Sequence, residues 1–148
     1  MSRVLLDTNI LVYAYDRSET AKQLCVIKLL QELTQRHEIV LSAQIMGEFF
    51  TVVTRKLIAK LTTEEACMLM QNFSQAWLIL PINDVVTTQA ARIVIDHSIA
   101  YWDAQLLAVA QQNKVKFILS EDLQDGRLFK DVKIINPLSD HFTIEQLV

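Results

Sequence analysis

Five short apolar runs punctuate the chain at Val4–Leu6, Glu38–Leu41, Leu78–Leu80, Lys116–Leu119 and Val132–Ile135, and helix-length segments separate them. This alternation restricts the fold more than any other feature. Apolar runs with no polar alternation read as strands covered on both faces, and strands separated by helices pair in parallel. The chain is therefore expected to be an α/β protein with a mainly parallel sheet between helices.

Helix starts are marked by capping residues. Thr20 with Gln23 reads as a capping box ahead of Val26, Leu29, Leu30 and Leu33. Ser42 is placed to cap a helix carrying Ile45, Phe49 and Val52 on one face. Thr62 with Glu65 is a second box, opening a helix to about Gln75. Val85–Asp96 and Tyr101–Gln112 read as helices, and a further one is expected near Ile10. The tail "DHFTIEQLV" is either one more helical turn or a frayed end.

The 148 residues suit one domain, 1–148, with no linker, repeat or low-complexity segment. A chain of this size buries roughly 70% of its unfolded surface. No apolar run reaches the about 18 residues of a membrane span, and Asp7 and Asn9 interrupt any signal-peptide core. Cys25 and Cys67 lie in apolar, helical-looking stretches without a CxxC and read as buried reduced thiols of a cytoplasmic protein. The net charge of -3 announces no basic field for coating nucleic acid, but it leaves room for a site that attracts phosphate through a metal.

Gly47 and Gly126 are the only glycines, which excludes the P-loop, the dinucleotide fingerprint and the nucleophile elbow. His37, His97 and His141 show no metal-ligand spacing, so zinc is not expected.

The acids are more informative. In an open parallel sheet, ligands bind outside the carboxyl ends of the strands, where the strand order reverses. Asp7 ends the first run, and "FILSED" puts Ser120 and Asp122 at the end of another. Asp103 falls in the first turn of "AYWDAQLLAVA", in line with Leu106, Leu107 and Ala110. Glu48 flanks the apolar face that begins with Ile45. Each acid also has an ordinary reading. Asp7 could cap a helix, Asp103 could serve a helix dipole, Glu48 could pair with Arg55 or Arg92, and Asp122 and Asp125 could form turns beside Gly126. Together they fall where the sheet edge would gather them. Clustered carboxylates resist ionisation unless a cation neutralises them, and an all-oxygen set without His or Cys suits Mg²⁺ or Mn²⁺.

Four stretches, "LLDTNILVYAYD", "GEFFTVVTRK", "YWDAQLLAVA" and "ILSEDLQDGR", resemble the PIN domain, and more narrowly the VapC-type toxin ribonucleases. They stand in the family's order across essentially the whole chain. The resemblance implies a three-layer α/β/α sandwich and a metal-dependent endoribonuclease, the toxin of a type II toxin–antitoxin pair. It implies that Asp7, Glu48, Asp103 and Asp122 are the catalytic, metal-holding acids. Thr8 or Asn9 would support the first acid, Ser120 would precede the fourth, and Asp125 is an additional acid of open role. RNA is the implied substrate, and a cognate antitoxin the implied partner.

Arg17, Arg55, Lys56, Lys60, Arg127 and Lys130 are candidates for phosphate contacts, and Tyr13, Tyr15 and Trp102 for base stacking. Each has an ordinary reading, as a surface charge or, for Trp102, as core. The apolar stretch around Leu57–Phe73 with Trp77 and Leu78 suggests a homodimer or a protein-binding face. A dehalogenase-like phosphatase would need an acid where Asn9 stands, and a receiver domain would need an acidic pair after its first strand. The main alternative is a non-catalytic PIN-like module that binds RNA or protein.

Overall fold

The computed structural model describes all 148 residues. The elements run β1 (Arg3–Leu6), α1 (Thr8–Tyr13), α2 (Thr20–Arg36), β2 (Glu38–Ser42), α3 (Ala43–Arg55), α4 (Thr63–Ala76) and β3 (Leu78–Leu80). They continue with α5 (Asp84–His97), α6 (Tyr101–Gln112), β4 (Phe117–Leu119), β5 (Leu128–Phe129) and β6 (Val132–Ile135), and a 3₁₀ turn spans Ile144–Gln146. The six strands form one sheet in the order β3-β2-β1-β4-β6-β5. All pairings are parallel except β5 with β6.

Consecutive β1 residues Val4, Leu5 and Leu6 are all fully buried, as are Val40 and Leu41 of β2 and Ile118 and Leu119 of β4. A strand buried at successive positions is covered on both faces, so the sheet is the middle layer of three. α5 packs on α6, whereas α1 packs on α2 and α3, and α3 on α4. The buried apolar residues form one cluster of 39. Phe49 of α3 sits in it, edge-on to Tyr15 and Phe73.

The central fact for function is the place of β1. The chain leaves β1 toward β2 on one side and returns to β4 on the other. The carboxyl ends of β1 and β4 therefore flank the point where the strand order reverses, the place where open α/β sheets bind their ligands.

Several expectations are corrected. Thr20 and Gln23 form no capping box: Glu19 is the N-cap without a side-chain bond, and Gln23 donates to the Ala14 carbonyl at 3.2 Å. Cys25 and Cys67 are exposed, not buried. Val26, Leu29 and Leu33 carry the buried stripe of α2, and Ala66 and Phe73 that of α4, so each cysteine points off its stripe. Trp102 is 62% exposed. β5 was not legible because it has two residues, one of them exposed. No helix is long and apolar enough to cross a membrane.

Candidate active site

β1 ends at Leu6, and the Asp7 amide continues the ladder by donating to the Leu119 carbonyl at 2.9 Å. That bond seats Asp7 beside Ser120, the first residue past β4. Asp7 then caps α1: its Oδ1 accepts from the Thr8 amide at 2.8 Å. Its Oδ2 accepts from Ser120 Oγ at 2.7 Å. Ser120 is fully buried, and its Oγ also accepts from the amides of Asp122 and Leu123, both at 3.2 Å. One hydroxyl thus ties the first acid to the turn that presents the fourth.

Glu48 reaches the same edge from α3. Thr8 Oγ1 donates to Glu48 Oε2 at 2.6 Å, and Gln44 Nε2 donates to Glu48 Oε1 at 2.6 Å. Asn9 Oδ1 accepts from the Glu121 amide at 3.3 Å, which fastens α1 to the turn after β4. Asp103 lies in the first turn of α6.

The candidate acids act on one another's charge. Burial pushes the Asp7 carboxyl above its ordinary value; Ser120 and Thr8 pull it down, and the charges of Glu48 and Asp122 push it up again. Burial likewise raises Asp103, and Asp122 and Glu48 add to the rise. Asp7 and Asp103 therefore feel the same two acids. None of the ion pairs, Arg3–Glu38, Lys22–Glu121 and Arg36–Glu145, reaches these four.

Asp125 makes its one side-chain hydrogen bond to the backbone. Its Oδ1 caps the Asn136 amide at 2.8 Å, the turn-forming role open to it from the start. Arg127 is also engaged elsewhere, over the Phe129 ring at 4.3 Å. Lys130 lies at the opposite edge of the sheet, where it lines a cavity of about 790 Å³ with Lys114 and Lys116. Tyr15 packs against Phe49 and Phe73. Tyr13 is tied into a group that sequence reasoning missed: its hydroxyl donates to Glu121 at 2.6 Å, and Lys22 bonds to both at 3.1 Å. Gln44 and Gln105 were also missed. Their signals were a helical spacing of four from Glu48 and a lone amide inside "AQLLAVA".

The residues fit a hard divalent cation in donor chemistry: carboxylate and hydroxyl oxygens, with neither imidazole nor thiol. No three acidic, histidine or cysteine side chains stand close enough to chelate one ion as they are placed. Thr8 and Gln44 hold Glu48, and Ser120 and the Thr8 amide hold Asp7, but no hydrogen bond acts on the Asp103 carboxylate.

The chain is thus a three-layer α/β protein with acids at its topological switch point. The family model for the PIN domain matches residues 4–134, and the chain belongs to that family. Solved structures of the same fold include the VapC20 toxin of Mycobacterium tuberculosis, described as cleaving the sarcin–ricin loop. It is 15% identical over 80% of this chain and 89% of its own, with a TM-score of 0.65. VapBC2 of Rickettsia felis, solved bound to a DNA fragment from its promoter, is 14% identical over 89% of this chain and 96% of its own, with a TM-score of 0.66. A toxin–antitoxin complex from Klebsiella pneumoniae is 16% identical over 90% of this chain and 97% of its own, with a TM-score of 0.65. Comparison with curated protein sequences gives no match.

Proposed function

We propose that this protein is a Mg²⁺- or Mn²⁺-dependent endoribonuclease, acting in the cytoplasm as the toxin of a type II toxin–antitoxin pair. The observation that carries the reading is that four acids face the carboxyl edge of the sheet and none of them is paired with a base. Asp7 and Asp103 are both pushed toward their protonated forms, first by burial and then by the charges of Glu48 and Asp122, and a divalent cation would offset both. Asp7, Glu48, Asp103 and Asp122 would hold the ion. Bound there, it would polarise the phosphodiester and acidify a water.

The chain's own residues supply orientation. Ser120 holds Asp7 and shapes the turn that presents Asp122. Thr8 and Gln44 hold the two oxygens of Glu48. Asn9 braces the turn through the Glu121 amide. The neighbours described as toxins and toxin–antitoxin complexes support an RNA substrate and an antitoxin partner. Exposed Ile58, Met68 and Leu78 are the apolar side chains offered to a second copy or to that partner. The wide spacing of the acids favours a second reading, a non-catalytic module that binds RNA or protein.

Incubation with single-stranded and structured RNAs in Mg²⁺, Mn²⁺ or EDTA tests both. Cleavage is expected to require the metal and to fall at least about 100-fold in Asp7→Asn and Asp103→Asn. Cleavage that persists in both variants would not come from this site. No cleavage, with no metal-dependent stabilisation, would leave the non-catalytic module.

A further inference from the structure

Helix α6 is buried at every position from Ala104 to Ala110, and Gln105 is the one polar residue among them. It is only 4% exposed. A buried amide must find partners, and this one reaches out of its own helix. Its Nε2 donates to Gln44 Oε1 at 2.6 Å. Gln44, half-buried in the first turn of α3, donates in turn to Glu48 Oε1 at 2.6 Å.

The direction of this chain follows from its end. An ionised Glu48 only accepts, so Gln44 must present its NH₂ to the carboxylate and its carbonyl to Gln105. Gln105 must then donate. Neither amide can flip without setting like groups against each other. The other Glu48 oxygen is held by Thr8 Oγ1 at 2.6 Å. Glu48 is itself exposed, and an exposed glutamate ordinarily samples many rotamers. Here both oxygens are occupied by oriented donors, and one donor is anchored in the core. The same amide pair joins α3, which carries Glu48, to α6, which carries Asp103.

We infer that Gln105 and Gln44 are positioning residues that fix the Glu48 carboxylate for a divalent cation, an inference that rests on the metal-dependent reading above. Groups that orient a ligand from behind carry about 10–100-fold in metal affinity.

The molecule contains its own control. Gln89 of α5 and Gln111 of α6 form a second interhelical amide pair, 2.8 Å apart and far from the acids. The test is Mn²⁺ titration by calorimetry on the full chain as wild type, Gln44→Leu, Gln105→Leu, the double variant and Gln111→Leu, with melting in EDTA alongside. Gln44→Leu and Gln105→Leu are expected to bind Mn²⁺ about 10–100-fold more weakly. The double variant is expected to bind no more weakly than Gln44→Leu, because both act through one contact. Gln111→Leu is expected to keep wild-type affinity whatever it does to melting. If Gln105→Leu does not fold, Gln44→Leu, at a half-buried helix position, carries the comparison. Wild-type affinity in Gln44→Leu, or an equal loss in Gln111→Leu, would overturn the inference and leave the metal reading intact. A wild type that neither binds Mn²⁺ nor is stabilised by it would overturn the metal reading itself.

Discussion

An ionised Asp7 has two donors, Ser120 Oγ and the Thr8 amide, and two negative neighbours, Glu48 and Asp122. Burial and the neighbours win, so the fold raises its proton affinity. The sign follows by linkage: the contribution to stability is full below the unfolded value of 3.8 and is lost as pH rises through the raised folded value. Metal-free Asp7→Asn is therefore expected to melt above the wild type at neutral pH: the amide keeps an oxygen for Thr8 and gives up the Ser120 bond, but the buried charge, the larger cost, is gone. The gap should close as the pH approaches 3.8. Calorimetry across pH checks it, and a wild type that melts higher at neutral pH would refute it. Ser120→Ala should act in the opposite direction. It strands the amides of Asp122 and Leu123 and should cost about 1–3 kcal/mol by urea unfolding. Asp7, Asp103 and Asp122 were legible as candidates because strand ends and helix starts can be read from local pattern, and Glu48 because it flanks the apolar face of α3. The Gln44–Gln105 contact joins residues 61 apart in the chain, and no local pattern encodes it.

Two helices with the same apparent start signal behave differently. In α4, Thr62 Oγ1 accepts from the Glu65 amide and Glu65 Oε1 accepts from the Thr62 amide, both at 3.1 Å. Thr62→Ala should cost about 1 kcal/mol. In α2, Thr20 is already inside the helix, and Gln23 is drawn to the Ala14 carbonyl. Thr20→Ala should stay within about 0.5 kcal/mol. Urea unfolding of the two variants separates them, and equal losses would contradict the placement of α2. What decides is the segment ahead of the helix. The Asp16 carboxylate accepts from the Ser18 amide and hydroxyl, closing a tight turn that delivers Glu19, not Thr20, to the helix start. Capping motifs are read from four residues, but the chain's approach to them comes from packing. Element type was legible in α2, α3, α4 and α5 because burial repeats with the helical period, whereas α6, buried at every position from Ala104 to Ala110, was legible from the length of its run. The two-residue β5 has no period to read.

At the scale of the whole molecule, the alternation of strands and helices was enough to expect a parallel sheet with its site at the carboxyl edge, but not the strand order; that β1 is the strand from which the chain departs in both directions comes from packing. Charge is then sorted by that geometry. Four acids stand at the carboxyl edge, and Lys114, Lys116 and Lys130 line the opposite edge. A net charge of -3 averages over these two ends and hides both. With the buried apolar residues in one cluster, we propose that 1–148 behaves as one domain, and it should unfold in a single cooperative transition. That makes melting a global report on the site. A cation that binds only the folded chain at 100 times its Kd adds about 2.7 kcal/mol. For a chain of this length that is a rise of about 5–10 °C in Tm. Mn²⁺ should produce this shift in the wild type, lose most of it in Asp103→Asn, and leave the transition single in both. Equal shifts in the two proteins would place the ion elsewhere, and a transition that splits would mean that the acids and the rest of the core unfold as separate units.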